Sequence, residues 1–223
     1  MYHFFKRVFD IVLSLIALII LSPIFLIAAI LIKISSPGPV FYISKRTKKG
    51  HKPFRFFKFR SMHVTKKDKG MFVADPDRLF RVGRVIRKLK IDELPQLLNV
   101  FLGDMSIVGP RPMPIETVDK TYHDEYKKVL SIRPGLTSPA SLYDYMVGDT
   151  YSDNDKYIKE VLPVKNEMEL IYVEKENFFY DISIIFRTIV AIFSTLFHCK
   201  RKPKQKEVAI AKERLLRKDN GNN

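Results

Sequence analysis

Two adjacent carboxylates, Asp92 and Glu93, and an arginine held between prolines, Pro110-Arg111-Pro112, are the residues whose types could do chemistry. All lie in one stretch, IDELPQLLNVFLGDMSIVGPRP, from Ile91 to Pro112. An ionised carboxylate can ligate magnesium or attack phosphorus. Its neighbour can share the metal or handle a proton. A rigidly presented guanidinium can grip a phosphate through two parallel hydrogen bonds. The combination suits phosphate chemistry. Each residue also has a plainer reading. Asp92, followed by Pro95, would make a good N-cap for a helix through Leu97, Leu98 and Val100. Arg111 could equally belong to a structural ion pair.

The elements around these residues follow from periodicity. From Asp77 the pattern is helical, with Val82, Val85, Ile86 and Leu89 on one face. Arg81, Arg84, Arg87 and Lys88 fall mostly on the other, as a solvated basic face would. The sharper reading has Arg87, roughly one and a half helical turns before Asp92, pointing into the same site. Gly103-Asp104 ends the helix after the carboxylates, Met105 to Val108 reads as a short strand, and Gly109 to Pro112 fixes a turn. Upstream, Val40 to Ile43 reads as a strand and Lys45 to Gly50 as a basic turn. Pro53 to Phe59 (PFRFFKF) reads as a second strand carrying Lys58, with one greasy and one charged face.

Charge and hydropathy narrow the setting. The 223 residues carry a formal net charge of +15, which favours polyanionic partners: phosphates, anionic lipid or nucleic acid. Between Lys45 and Lys90 there are 17 Lys and Arg against 3 Asp. Aromatics interleaved with this charge could stack nucleobases, but beside an apolar segment they suit the headgroup interface better. The single Cys199 excludes an internal disulfide, and no Cys/His set has zinc spacing. Both fit a reducing compartment.

That apolar segment runs from Ile11 to Ile32, interrupted by Ser14, Ser22 and Pro23. As a straight helix it would be roughly 33 Å long, enough to cross a bilayer. Ser35-Ser36-Pro37 is a poor signal-cleavage site. A single span and a re-entrant helix both remain open. Ser22-Pro23 near the middle favours a kink. Lys6 and Arg7 before the run and Lys33 after it place basic flanks on both sides. A helix that returns to the face it left satisfies both flanks under the positive-inside rule.

The order of these pieces resembles the bacterial sugar transferases, the monotopic phosphoglycosyl transferases that start glycan assembly on polyprenol phosphate. The resemblance runs from about Phe4 to Phe193. It takes in KRVFDIVLSLIALIILSPIFLIAAILIK, SPGPVFYISKR, FKFRSM, RVGRVIRKLKIDELPQLLNVFLGDMSIVGPRP and RPGLT. It implies an α+β fold: a re-entrant membrane helix over residues 1–35 with its break at Ser22-Pro23, then a small cytosolic catalytic domain over 36–198. Helices, short strands and interfacial amphipathic helices would make up that domain, followed by a basic tail over 199–223.

The implied reaction moves a sugar 1-phosphate from a UDP-sugar to polyprenol (undecaprenyl) phosphate and releases UMP. By this resemblance Asp92 is the nucleophile of a covalent phosphosugar intermediate and lies near Mg2+, and Glu93 is its dyad partner. Arg111 is the phosphate-binding arginine, and Arg87 and Lys58 are flanking phosphate-site cations. The expected location is the bacterial cytoplasmic membrane, facing the cytoplasm, among membrane lipids and with no nucleic acid. Longer members place several membrane spans before this unit, so the chain reads as the minimal form. Ser44, Arg46 and Lys48 stand where the family usually has Gln, Arg and Gly, and Ser138 to Tyr143 departs from the usual Trp-Ala-Gln type segment. Those departures bear on donor choice. The residues name neither the sugar nor an oligomeric state.

Downstream, Tyr151 to Asp155 reads as a loop, and a helix runs through Met168, Leu170 and Tyr172. Phe178 to Phe197 is apolar with Asp181 and Arg187 inside, which favours an interfacial amphipathic helix over a second span, with Asp181 structural. The tail from Lys200 reads as a partly helical basic extension on the anionic membrane surface. The competing reading is a membrane-anchored nucleic-acid-binding or scaffold protein, which leaves Asp92 and Glu93 without a role.

Overall fold

The structure, a computed structural model, describes residues 1–63, 76–147, 151, 153–196 and 205–221. Residues 64–75 of the basic stretch, and the start of the tail at 200–204, lie outside them. The described chain is a mixture of helices and short strands carrying apolar helices at its surface.

The N-terminal apolar run forms two helices, α1 (Tyr2–Ile20) and α2 (Ser22–Ser35), bent by 59°. Pro23 has no N–H to offer the Ile19 carbonyl one turn back. The Ser22 hydroxyl donates to that carbonyl instead, at 2.8 Å, so the break leaves it satisfied. Polar side chains of α1 then tie the helix to the body of the protein. Arg7 donates to the carbonyls of Val100 and Phe101 at 2.6 and 2.9 Å, and buried Asp10 accepts the Ile107 N–H at 3.0 Å. At the other end, Ala28 and Ile32 of α2 pack with Phe59, Phe80 and Ile86.

A hairpin follows, β1 (Phe41–Lys48) with β2 (Lys52–Phe59), antiparallel and registered Phe41 to Phe59 through Lys48 to Lys52. The basic run Lys45 to Lys48, expected as a turn, is strand. Its alternation lets Arg46 lie over the Phe56 ring, and the reversal falls at Lys49 to His51, where Gly50 and His51 take positive φ. Phe54, Phe56 and Phe59 are buried, so these rings fill the core and are displayed neither to the headgroup interface that the sequence suggests nor for stacking on bases.

Beyond the hairpin come α3 (Arg81–Lys88), α4 (Gln96–Leu102) and β3 (Ser106–Val108). After α5 (Ile115–Thr121), β4 (Gly135–Thr137) pairs with β3 in parallel. This pairing brings the Gly-Pro-Arg-Pro and Arg-Pro-Gly-Leu-Thr segments into backbone contact. A Cβ on Gly135 would sit 2.1 Å from the Gly109 nitrogen and 2.4 Å from its oxygen. Gly135→Ala is therefore expected to destabilise by about 3 kcal/mol or more, because backbone, not a flexible side chain, would have to move. Thermal unfolding of the purified variant reads this directly, and an unchanged midpoint would mean the contact is not tight.

The C-terminal third is helical: α6 (Pro139–Val147), α7 (Asn154–Glu160), α8 (Leu162–Lys175), α9 (Phe178–Leu196) and α10 (Lys206–Gly221). Phe54, Phe56, Val100, Met105, Ile107, Val108, Tyr172 and Ile184 form the main core, so the hairpin, α4, β3, α8 and α9 share one interior. Asp181 is structural. It accepts from the hydroxyls of Tyr2 and Tyr172, each at 2.7 Å, and from the Lys6 ammonium, joining α9 to α1. On the opposite face of α9, Phe179, Ile182, Phe186, Ile189 and Phe193 form an exposed apolar stripe at three- and four-residue spacing.

The described part of the tail, α10, is helical as expected, and it packs on the body of the protein. Lys218 pairs with fully buried Glu167 at 2.6 Å and with Glu125 at 2.6 Å, and Arg214 reaches Glu167 and Glu174 at 3.3 and 2.8 Å. A buried carboxylate needs cationic partners, and α10 supplies them to α8.

Candidate active site

The carboxylates are placed by a turn that periodicity does not reveal. Lys90 adopts a left-handed conformation (φ +58°) and stops α3, and Ile91–Glu93 then forms a single 3-10 turn. Pro95 takes the N-cap position of α4, so Asp92 lies too far upstream to cap it. The N-cap expectation for Asp92 fails for that reason. Its side chain instead lines a cavity of about 340 Å³, a volume typical of small-molecule sites. Asp92 is 3% exposed, and its Oδ1 has no hydrogen-bond partner among the described residues. Burial raises its carboxyl above the usual range, the Lys58 ammonium opposes that, and the Glu93 charge adds to it.

Glu93 has the opposite environment. Arg111 donates to both its oxygens, at 2.8 and 2.7 Å, and Lys58 donates at 3.1 Å. Lys90 lies 3.7 Å away. Burial alone would raise this carboxyl, but Arg111, Lys58 and Lys90 together hold it well below the usual range. So strongly paired a carboxylate is a poor proton carrier. It suits the work of orienting cations beside Asp92. Two readings of Arg111, phosphate grip and structural ion pair, meet here: the fork is held by Glu93 and still lines the cavity.

The other sequence-derived residues separate. Lys58 and Arg87 both line the cavity. Among the described residues Arg87 makes a long contact, 3.8 Å, to the Met62 sulfur, and its charge helps oppose the upward shift of Asp92. Ser22 and Pro23 lie in the bent helix pair and take no part in the cavity lining. Among the described residues no group of three or more His, Cys, Asp or Glu could by itself hold a metal. Magnesium, however, is commonly held by one or two carboxylates with substrate phosphates and water. The unpartnered Oδ1 of Asp92 fits that use, whereas the Glu93 oxygens are already engaged.

Several lining residues carried no sequence signal: Lys90, Asp144, Tyr157, Lys165 and Glu169. Glu169 holds the loop of Arg111. Its Oε1 accepts the Arg111 N–H at 2.9 Å and the Ser138 hydroxyl at 3.1 Å. Burial pushes its carboxyl up to about 7, against those hydrogen bonds and the nearby cations. A raised carboxyl favours the folded state while protonated. That advantage is full below the unfolded value, near 4.3, and is lost as pH rises to about 7. Thermal midpoints should therefore fall between those limits by the equivalent of roughly 3 kcal/mol, and Glu169→Gln should flatten the curve. Parallel pH curves for the two proteins would contradict this.

With this geometry in view, likeness to known proteins is decisive. The family model described as bacterial sugar transferase matches residues 1–195. The chain belongs to this family. A UDP-N-acetylgalactosamine-undecaprenyl-phosphate N-acetylgalactosaminephosphotransferase of Aeromonas hydrophila is 38% identical, over 86% of this chain and 44% of the relative. A UDP-glucose:undecaprenyl-phosphate glucose-1-phosphate transferase of Caulobacter vibrioides is 35% identical, over 85% of this chain and 70% of its own length. The exopolysaccharide production protein PSS of Rhizobium leguminosarum bv. phaseoli is 37% identical, over 83% and 94%. The chain thus spans less than half of the Aeromonas relative and most of the other two. In this family member the buried Asp92, the Glu93–Arg111 fork and Lys58 share one cavity.

Proposed function

We propose that this sugar transferase moves a sugar 1-phosphate from a UDP-sugar to undecaprenyl phosphate, releasing UMP, as the first membrane step of glycan assembly. The observation that carries the reading is the pair of unlike carboxylates in one cavity. Asp92 has a free oxygen, and Glu93 is locked to Arg111 and Lys58. Asp92 attacks the β-phosphorus of the donor. The bond from that phosphorus to the bridging oxygen breaks, and UMP leaves with the electron pair. A phosphate oxygen of the acceptor then attacks the same phosphorus, the bond to Asp92 breaks, and the carboxylate is restored. Arg111, Lys58, Arg87 and Lys90 hold phosphoryl oxygens and balance developing charge. Magnesium, held by Asp92 and substrate phosphates, would supply further charge neutralisation on the diphosphate.

The membrane setting belongs to the same reading. The α1–α2 pair is a re-entrant helix that enters and leaves the cytoplasmic leaflet, and the exposed stripe of α9 lies in the interface. Supporting this, both ends of the bent pair pack on the same domain: Arg7 and Asp10 on α4 and β3, Ala28 and Ile32 against the hairpin and α3. A helix crossing once would part those ends. The basic flanks favour the cytoplasmic side.

The test is UMP release by the purified protein with magnesium, undecaprenyl phosphate and a panel of UDP-sugars. Release that requires a matching donor and magnesium is expected. Salt-sensitive binding to oligonucleotides with no release from any donor would overturn the reading.

A further inference from the structure

The cavity has two chemically unlike walls. One, from the hairpin, α3 and the turn after it, presents Arg46, Lys58, Arg60, Arg87 and Lys90. The other, from α6, α7 and α8, presents Asp144, Tyr157, Lys165 and Asn166. On this second wall Asp144 accepts the Tyr157 hydroxyl at 2.5 Å and faces the Lys165 ammonium at 3.0 Å. Lys165 also donates to the Tyr157 oxygen at 2.7 Å. The pair is accessible from the cavity, with the Asp144 side chain 36% exposed and that of Lys165 13%.

We propose that the wall of α6, α7 and α8 is the subsite for the donor's sugar ring, with Asp144 and Lys165 reading its hydroxyl groups. This rests on the two-step covalent reading. UMP leaves and the acceptor phosphate enters along one line through the phosphorus, so the two use one subsite in turn. Both are anionic, and the cations gathered around Asp92 and Glu93 suit them better than the second wall does. The first wall also adjoins the membrane helix: Arg60 donates to the Ser36 and Pro37 carbonyls just beyond α2, each at 2.6 Å. The sugar stays on phosphorus through both steps and must lie elsewhere.

The second wall has the matching chemistry. Its carboxylate and ammonium nearly cancel in charge, so the wall offers little to a diphosphate, and Asp144 would repel one. It sets acceptor and donor side by side, and each group keeps unused hydrogen-bonding capacity, as a ring of neighbouring hydroxyls requires. Asp144 lies on α6, on the same helix as the buried Ala140 and Leu142 that fix its placement.

Asp144→Asn keeps the shape and removes the charge. Turnover of the best UDP-sugar should fall roughly 10- to 100-fold in kcat/KM. The preference between UDP-glucose and UDP-galactose, which differ at one hydroxyl, should shift by about tenfold. Inhibition by UDP, which lacks the sugar, should stay within about twofold of wild type. UDP inhibition that weakens in step with turnover would assign the wall to the nucleotide and overturn the proposal. An equal loss for every donor, with the preference unchanged, would overturn it as well. If Asp144→Asn shows no cooperative unfolding transition, Lys165→Gln is read by the same three measurements. Wild-type protein that releases UMP from no donor overturns the parent reading, and this one with it.

Discussion

Asp92→Asn is expected to remove turnover, by at least ~10⁴-fold in kcat, while leaving the protein folded. The amide keeps the shape of the side chain but cannot attack phosphorus. Stability should hold or improve. Asp92 is buried with an unpartnered oxygen, and burial already disfavours its charged form. A neutral isostere removes that conflict. Loss of activity with an unchanged or higher melting midpoint therefore separates loss of chemistry from loss of fold. Substantial turnover by the Asn variant would end the nucleophile assignment.

Arg111→Lys should lower kcat/KM by roughly 10²- to 10³-fold, with less effect on stability. An ammonium keeps the positive charge but cannot form the two parallel bonds that Arg111 makes to Glu93 at 2.8 and 2.7 Å. Glu93 retains Lys58 and Lys90 as partners, so its charge is not left bare. Arg111→Ala is less informative, because removing one partner of a buried pair can cost about 3–5 kcal/mol. Inhibition by UDP tells the two roles of Arg111 apart. A phosphate-gripping arginine loses UDP affinity on replacement by Lys, whereas a purely structural one loses stability and leaves UDP inhibition as it was.

How far the sequence reaches is clear from particular residues. Asp92, Glu93 and Arg111 stand out by residue type and Arg87 by its helical position, whereas Lys58 came only with the family resemblance; all five line one cavity. The kink at Ser22-Pro23 was legible too, and the structure adds the Ser22 hydroxyl that takes the freed carbonyl. Both rest on local chemistry: proline geometry, adjacent carboxylates, a rigid arginine. The N-cap assignment failed because a left-handed Lys90 and a 3-10 turn precede α4, and non-glycine residues give little sequence sign of such a conformation. The basic turn at Lys45 failed because tertiary packing of Arg46 on Phe56 favours strand. The second wall of the cavity was invisible. Asp144, Tyr157, Lys165 and Glu169 meet only when α6, α7 and α8 pack together, and no motif spaces them. The packing of the tail was hidden for the same reason, since Arg214 and Lys218 answer a buried Glu167 that looks unremarkable within α8.

The most direct measurement is the intact mass of the purified protein incubated with magnesium and its UDP-sugar in the absence of acceptor. A two-step reaction through Asp92 predicts release of UMP without acceptor and a mass gain of one sugar phosphate. That gain should disappear on adding undecaprenyl phosphate and never form in Asp92→Asn. UMP released only when acceptor is present, with no mass gain at any time, would contradict the covalent route.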